Sequence, residues 1–190
     1  ITTWASTHFP AVALGVPNWD PRVVKKEARI FDDSGNGISA TTTIDYEGDL
    51  NLRDTPLLTK KSSQYAFVPV GDSPPSSPVR STETTYLIND PNYSGVKSHY
   101  IAQNMIGLVT ASEVKNSNGQ IVSRSETVYD DVSNYPLHTP AILPTRWNPP
   151  ANGYRGNPNT IRVWDSTKGD PTSSSSYIST HAQFDNFGNQ

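Results

Sequence analysis

The chain predicts an all-β fold of stacked antiparallel β-hairpins joined by long Pro-rich loops, with little helix. Three observations predict it. Four short phrases echo one another: Ile30-Phe31-Asp32-Asp33-Ser34-Gly35-Asn36, Glu113-Val114-Lys115-Asn116-Ser117-Asn118-Gly119-Gln120-Ile121, Thr127-Val128-Tyr129-Asp130-Asp131-Val132-Ser133-Asn134, and Ala182-Gln183-Phe184-Asp185-Asn186-Phe187-Gly188-Asn189. With 34% hydrophobic and 17% charged residues, the balance lies with uncharged polar residues, 16 Pro and 12 Gly, a profile that suits short strands and turns better than helices. No stretch keeps apolar residues at i, i+3, i+4 and i+7 over more than two turns, as an amphipathic helix requires.

The recurring phrase has a local physical meaning. An aromatic residue, then Asp, then Gly-Asn, led by alternating residues, describes a strand entering a tight turn. Thr180, Ala182 and Phe184 share one face of an extended segment and His181, Gln183 and Asp185 the other. Gly188 supplies the positive φ of the turn, and Asp185 can close it by a side-chain bond to the backbone. Each copy is half a hairpin, and a lone hairpin is marginal in water, so copies must stack to bury their aromatic faces. The spacing is loose: fifteen positions separate Phe31 from Tyr46, fourteen separate Lys115 from Tyr129, and twenty separate Trp164 from Phe184. The residues assigned to this structural motif are Phe31, Asp32, Gly35, Asn36, Gly119, Tyr129, Asp130, Trp164, Phe184, Asp185, Gly188 and Asn189.

Along residues 1–190, read as one section of a repeat array, three strand-rich zones alternate with two irregular stretches. Val23 to Leu58 contains alternating runs such as Ala28-Arg29-Ile30-Phe31 and Thr41-Thr42-Thr43-Ile44-Asp45-Tyr46, and reads as strands. Residues 71–80, with Gly71-Asp72-Ser73-Pro74-Pro75-Ser76-Ser77-Pro78, read as an exposed loop because proline removes donors and fixes φ. Tyr86 to Tyr135 reads as strands again. Residues 136–153, broken by five prolines around Trp147, are irregular. Arg162 to Gln190 closes with a strand at Ile161-Arg162-Val163-Trp164, a Ser-rich turn at Thr172 to Ser176, and the last copy of the phrase.

The segments that carry this pattern resemble the YD-repeat, or Rhs (rearrangement hotspot), proteins. Arg155-Gly156-Asn157, Ile161-Arg162-Val163-Trp164-Asp165 and the run Thr180 to Asn189 look most like those repeats, and Leu108 to Asn134 looks like two more in tandem. The resemblance implies a long antiparallel ribbon wound into a hollow shell, found in secreted or cell-surface toxins and in adhesion receptors. The self-cleaving Asp-Pro-x-Gly motif of that family is not present, since Asp20-Pro21, Asp90-Pro91 and Asp170-Pro171 all lack its glycines, so any toxin cargo is expected beyond this stretch.

Charge and cysteine usage exclude several classes. With 15 basic and 18 acidic residues the net charge is -3, which offers no field for nucleic acid or an anionic membrane. There is no Cys, so neither thiol catalysis nor a thiolate metal site exists. No apolar run approaches the roughly eighteen residues of a membrane span. The chain begins at Ile1 and ends on Gln190 just after a turn, and is expected to be a piece of a longer polypeptide at the cell surface or outside the cell.

The search for chemistry predicts no catalytic, cofactor or metal residues. His8, His99, His138 and His181 lack ligand spacing, and there is no Gly-x-Ser-x-Gly elbow. Adjacent carboxylates at Asp32-Asp33 and Asp130-Asp131 point to opposite sides of a strand. Asp32, Ser34, Asn36 and Gly37 imitate the start of a calcium loop, but the closing position is Thr43, so a capped turn is expected. Two functions fit: a non-catalytic structural section of a shell or fibre that encloses, presents or spaces another domain, or a carbohydrate-binding adhesion module using Trp19, Trp147 and Trp164 as stacking platforms. The first expects as partners further repeats, or neighbouring copies added strand to strand as a filament.

Overall fold

The computed structural model describes residues 1–9, 18–47, 58–138 and 153–187, with side chains described over 1–3, 23–46, 58–138 and 153–187. Its strands are antiparallel throughout the named pairings, and the all-β expectation holds. Among the described residues ten strands run in chain order as β1 Thr2–Phe9, β2 Asn18–Phe31, β3 Gly37–Glu47, β4 Leu58–Gln64, β5 Val68–Pro69, β6 Arg80–Tyr86, β7 Val109–Asn116, β8 Ile121–Tyr129, β9 Pro158–Trp164 and β10 Tyr177–His181. One short helix, α1, spans Lys97–Ala102. The chain divides into two compact units: residues 1–83 with 114–122, and residues 84–113 with 123–190.

In the first unit the strand order is β1-β2-β3-β4-β6, with β5 beside β3. β3 and β4 are rich in Thr and Ser, and threonine suits a pleated, half-covered surface. What becomes buried among the described residues of this unit is small and polar. Ser39, Thr41, Ser63 and Ser81 are each at most 5% exposed, and Ser63 faces Thr43 on one side and Ser81 on the other. Lys61 sits opposite Glu83 and pairs with it at 3.0 Å, while Lys115 reaches the other oxygen of the same carboxylate. Those cations hold Glu83 below the usual carboxylate range, the Lys115 hydrogen bond most strongly. The residues 71–79 are irregular, as their prolines require. The second Pro-rich stretch lies mostly outside the described residues.

The second unit holds the apolar core: Leu87, Ile88, Tyr100 and Phe184 are the buried hydrophobic residues among those described. Here the expectation of strands from Tyr86 to Tyr135 needs correction. Leu87–Asn89 and Pro91–Tyr93 are 3-10 turns and α1 follows, so strand resumes only at Val109. Asp90 caps the second turn by accepting the amide of Asn92, with Pro91 at its first position, the local chemistry that favours a helical start. Six residues of α1 are too few to display a helical period, so the segment gave no periodic signal.

The strand set β8-β9-β10 presents two unlike faces, because successive side chains alternate. Arg124, Glu126, Arg162 and Tyr177 lie on one. Ile161, Val163 and Ile178 lie on the other, 44%, 49% and 57% exposed, with Val163 directly opposite Ile178.

Candidate functional site

Two turns are built from the same bonds. In the first, the amide of Asp32 donates to the carbonyl of Asn36 and the amide of Gly35 to the carbonyl of Asp32. Asp32 Oδ1 accepts the amides of Ser34 and Asn36 at 2.9 and 2.8 Å. In the second, Asn116 donates to the Gln120 carbonyl and Gly119 to the Asn116 carbonyl, and Asn116 Oδ1 accepts the amides of Asn118 and Gln120 at 3.0 Å each. Even the outer bond recurs with its polarity reversed: Asn36 Nδ2 donates to Asp32 Oδ2, and Asn116 Nδ2 donates to Gln120 Oε1. Gly35 and Gly119 sit at φ of 84° and 76°, the left-handed position that ends a three-residue hairpin loop. The same opening recurs at Asp165, which accepts the amide of Thr167, and at Asp185, which accepts that of Phe187. Gly188 and Asn189 lie outside the described residues.

A tyrosine follows each complete turn. Tyr46 donates its hydroxyl to the carbonyl of Val23 at 3.0 Å, and Tyr129 donates to the carbonyl of Val109 at 3.0 Å. In both hairpins the return strand is thus tied to the outgoing one, at the first residue of β7 and at an interior residue of β2.

At Asp32 the carboxylate is spent on the turn. Its hydrogen bonds, led by the one from Asn36, draw it below the ordinary aspartate range. These bonds make a capped turn at Asp32.

Asp130 does something different from Asp32. It lies at φ 51° and begins no hairpin loop. Its carboxylate accepts the amides of Arg155, Gly156 and Asn157 at 2.9, 2.7 and 3.0 Å and the hydroxyl of Tyr100 at 2.9 Å. Gly156, at φ 72°, lets three successive amides converge into an anion-holding concavity, which Asp130 fills. Asp131 makes the local turn instead, accepting from Ser133 and Asn134.

The motif aromatics have unlike surroundings. Phe184 is 8% exposed and Phe31 is 57% exposed, so the expectation that both are packed alike fails at Phe31. Its ring instead lies against its cross-strand partner Gly37: a Cβ there would come within 2.6 Å of Phe31 Cδ1 and 2.8 Å of Val70 Cγ2. Trp164 is half-buried and donates its indole N–H to the carbonyl of Gly169. Of the other proposed platforms, Trp19 and Trp147 fall outside the described side chains.

One cleft in the second unit has the dimensions of a ligand site. It encloses about 420 Å³ and is lined by Asp90, Asn92, Tyr93, Arg124, Glu126 and Arg162 among others. Arg124 is held by Glu113 at 2.6 Å and Glu126 at 2.9 Å, and Arg162 pairs loosely with Glu126 at 3.8 Å. The Tyr93 hydroxyl accepts the amide of Tyr129 at 2.8 Å, and burial pushes its acidity down, raising its pKa. Alternation could have placed Arg124, Glu126 and Arg162 on one face from sequence. Asp90 and Tyr93 join them only because the 3-10 turns bring them there.

Comparison with protein-family models, with curated proteins and with solved structures gave no match.

Proposed function

We propose that this chain is a non-catalytic structural section of a hairpin array of the YD-repeat kind, working at the cell surface or outside the cell. Its hairpins form a β-wall that encloses, presents or spaces another domain. The observation that carries this reading is the recurring turn: Asp32 to Asn36 and Asn116 to Gln120 make matching backbone and Asx bonds from unlike sequences, and each return strand carries a tyrosine, Tyr46 or Tyr129, bonded to a carbonyl of the outgoing strand. Two further features support it. Among the described residues of the first unit the buried side chains are serine and threonine, so these strands rely on neighbouring strands more than on a private core. The second unit leaves Ile161, Val163 and Ile178 exposed on one sheet face, as a wall covered by other material requires.

The test is cryo-electron microscopy of the complete polypeptide that carries this chain. A continuous ribbon of hairpins winding past both ends of the segment is expected. An isolated globular domain, with no hairpins paired to β1 or β10, would overturn the reading.

A further inference from the structure

We propose that the cleft in the second unit binds an acidic saccharide, a hydroxyl-rich carboxylate of the uronic acid class, with Arg162 receiving the carboxylate. This goes beyond the structural role and uses none of the tryptophans considered above. The volume, about 420 Å³, falls within the roughly 300–1,000 Å³ typical of small-molecule sites.

The polar groups of the cleft separate into those already satisfied and those with capacity left. Arg124 belongs to the first set, clamped between Glu113 and Glu126. Asp131 does too, bonded within its own turn. Arg162 belongs to the second: among the described residues its one ion pair is 3.8 Å long, and its side chain is 40% exposed. Tyr93 uses its oxygen to accept the Tyr129 amide, which leaves its proton to donate. Asn92 adds an exposed side-chain amide, since only its backbone is engaged by Asp90.

The acceptors with capacity are carboxylate oxygens. Asp90 Oδ1 takes the Asn92 amide and Glu126 Oε1 takes Arg124 and Tyr177, leaving Asp90 Oδ2 for a ligand and Glu126 Oε2 only loosely engaged. A ligand that fits must bring an anionic acceptor to Arg162 and hydroxyl donors to Asp90 and Glu126. Compact polyanions such as phosphate carry more negative charge into a cleft that already holds Asp90, Glu126 and Asp131, and meet stronger repulsion there than a monoanion does. Neutral sugars bring donors but give the guanidinium no carboxylate for a bidentate ion pair. A monoanionic polyhydroxy acid meets both demands.

Calorimetric titration of the whole chain with sodium glucuronate tests this, with glucose and sodium acetate as parallel probes. Saturable binding of glucuronate is expected, with glucose and acetate weaker by about tenfold or more, the worth of one charge-assisted hydrogen bond. Arg162→Gln should weaken glucuronate by a similar factor and leave glucose unchanged. Arg162→Lys, which keeps the charge but not the planar fork, should fall between, and it decides the matter should the Gln variant fail to fold. Absence of saturable glucuronate binding, equal binding of glucose, or affinity unaffected by either Arg162 variant would each overturn the proposal.

Discussion

The carboxylate of Asp130 accepts the hydroxyl of Tyr100 at 2.9 Å while also receiving the backbone amides of Arg155, Gly156 and Asn157. Tyr100 is fully buried. One side chain therefore joins the helical segment, the end of β8 and the loop that leads into β9. Asp130→Ala strands four donors, and chemical denaturation should report a loss of about 3 kcal/mol or more. Tyr100→Phe removes one donor and keeps the ring, so it should cost about 1 kcal/mol.

The same contact sets an alkaline limit. Burial raises the Tyr100 phenol strongly, and the negative charge of Asp130 raises it further. A group raised in the folded state lends stability that is complete below its unfolded pKa, about 10 for tyrosine, and that disappears as pH climbs through the folded value. Ultraviolet titration should find Tyr100 ionising only together with unfolding. A phenol at position 100 that titrates like free tyrosine in the folded protein would contradict the contact.

At the acid end the sign reverses. Asp32, Asp165 and Asp170 are each drawn below the usual range, chiefly by side-chain hydrogen bonds from Asn36, Thr167 and Thr172. Their contribution is complete above about pH 4 and fades as pH falls through the lowered values. Amide exchange at Ser34 and Asn36 should therefore accelerate in acid more than at Asn118 and Gln120, whose acceptor is the non-titrating Asn116. Equal acceleration in both turns would count against the assigned bonds.

Packing predictions separate the two phenylalanines. Phe184→Ala should cost about 3 kcal/mol or more, as for an aromatic taken from a core. Phe31→Ala should cost clearly less, and it should rescue Gly37→Ala, whose added methyl meets the Phe31 ring and Val70. A non-additive double mutant is the expected signature.

Strands and hairpin turns were legible because they are local: alternation marks the strands, and an Asx residue three positions before a glycine marks the turn at both Asp32 and Asn116. The exposure of Phe31 was not legible, since alternation assigns a face without saying what covers it. Nor was the helical run from Leu87 to Ala102, whose elements are too short for a period and are organised around the burial of Tyr100. Asp130 resembled Asp32 in sequence, but its role depends on the amides of residues 155–157, about 25 positions away. The cleft was half legible: its strand face follows from β8 and β9, while its other wall comes from the unforeseen turns.

The central claim is that the hairpins around Asp32 and Asn116 are two copies of one unit, and grafting one turn into the other tests it most directly. Replacing Asp32→Asn, Asp33→Ser, Ser34→Asn and Asn36→Gln together transfers the second turn, with Gly35 kept in place. Thermal melting and amide exchange of the grafted chain should stay within the range of surface substitutions, about 0.5 kcal/mol, with the amides at positions 34 and 36 still protected. Loss of that protection, or destabilisation well beyond that range, would mean that the two turns are alike only in outline and that the repeat is not real.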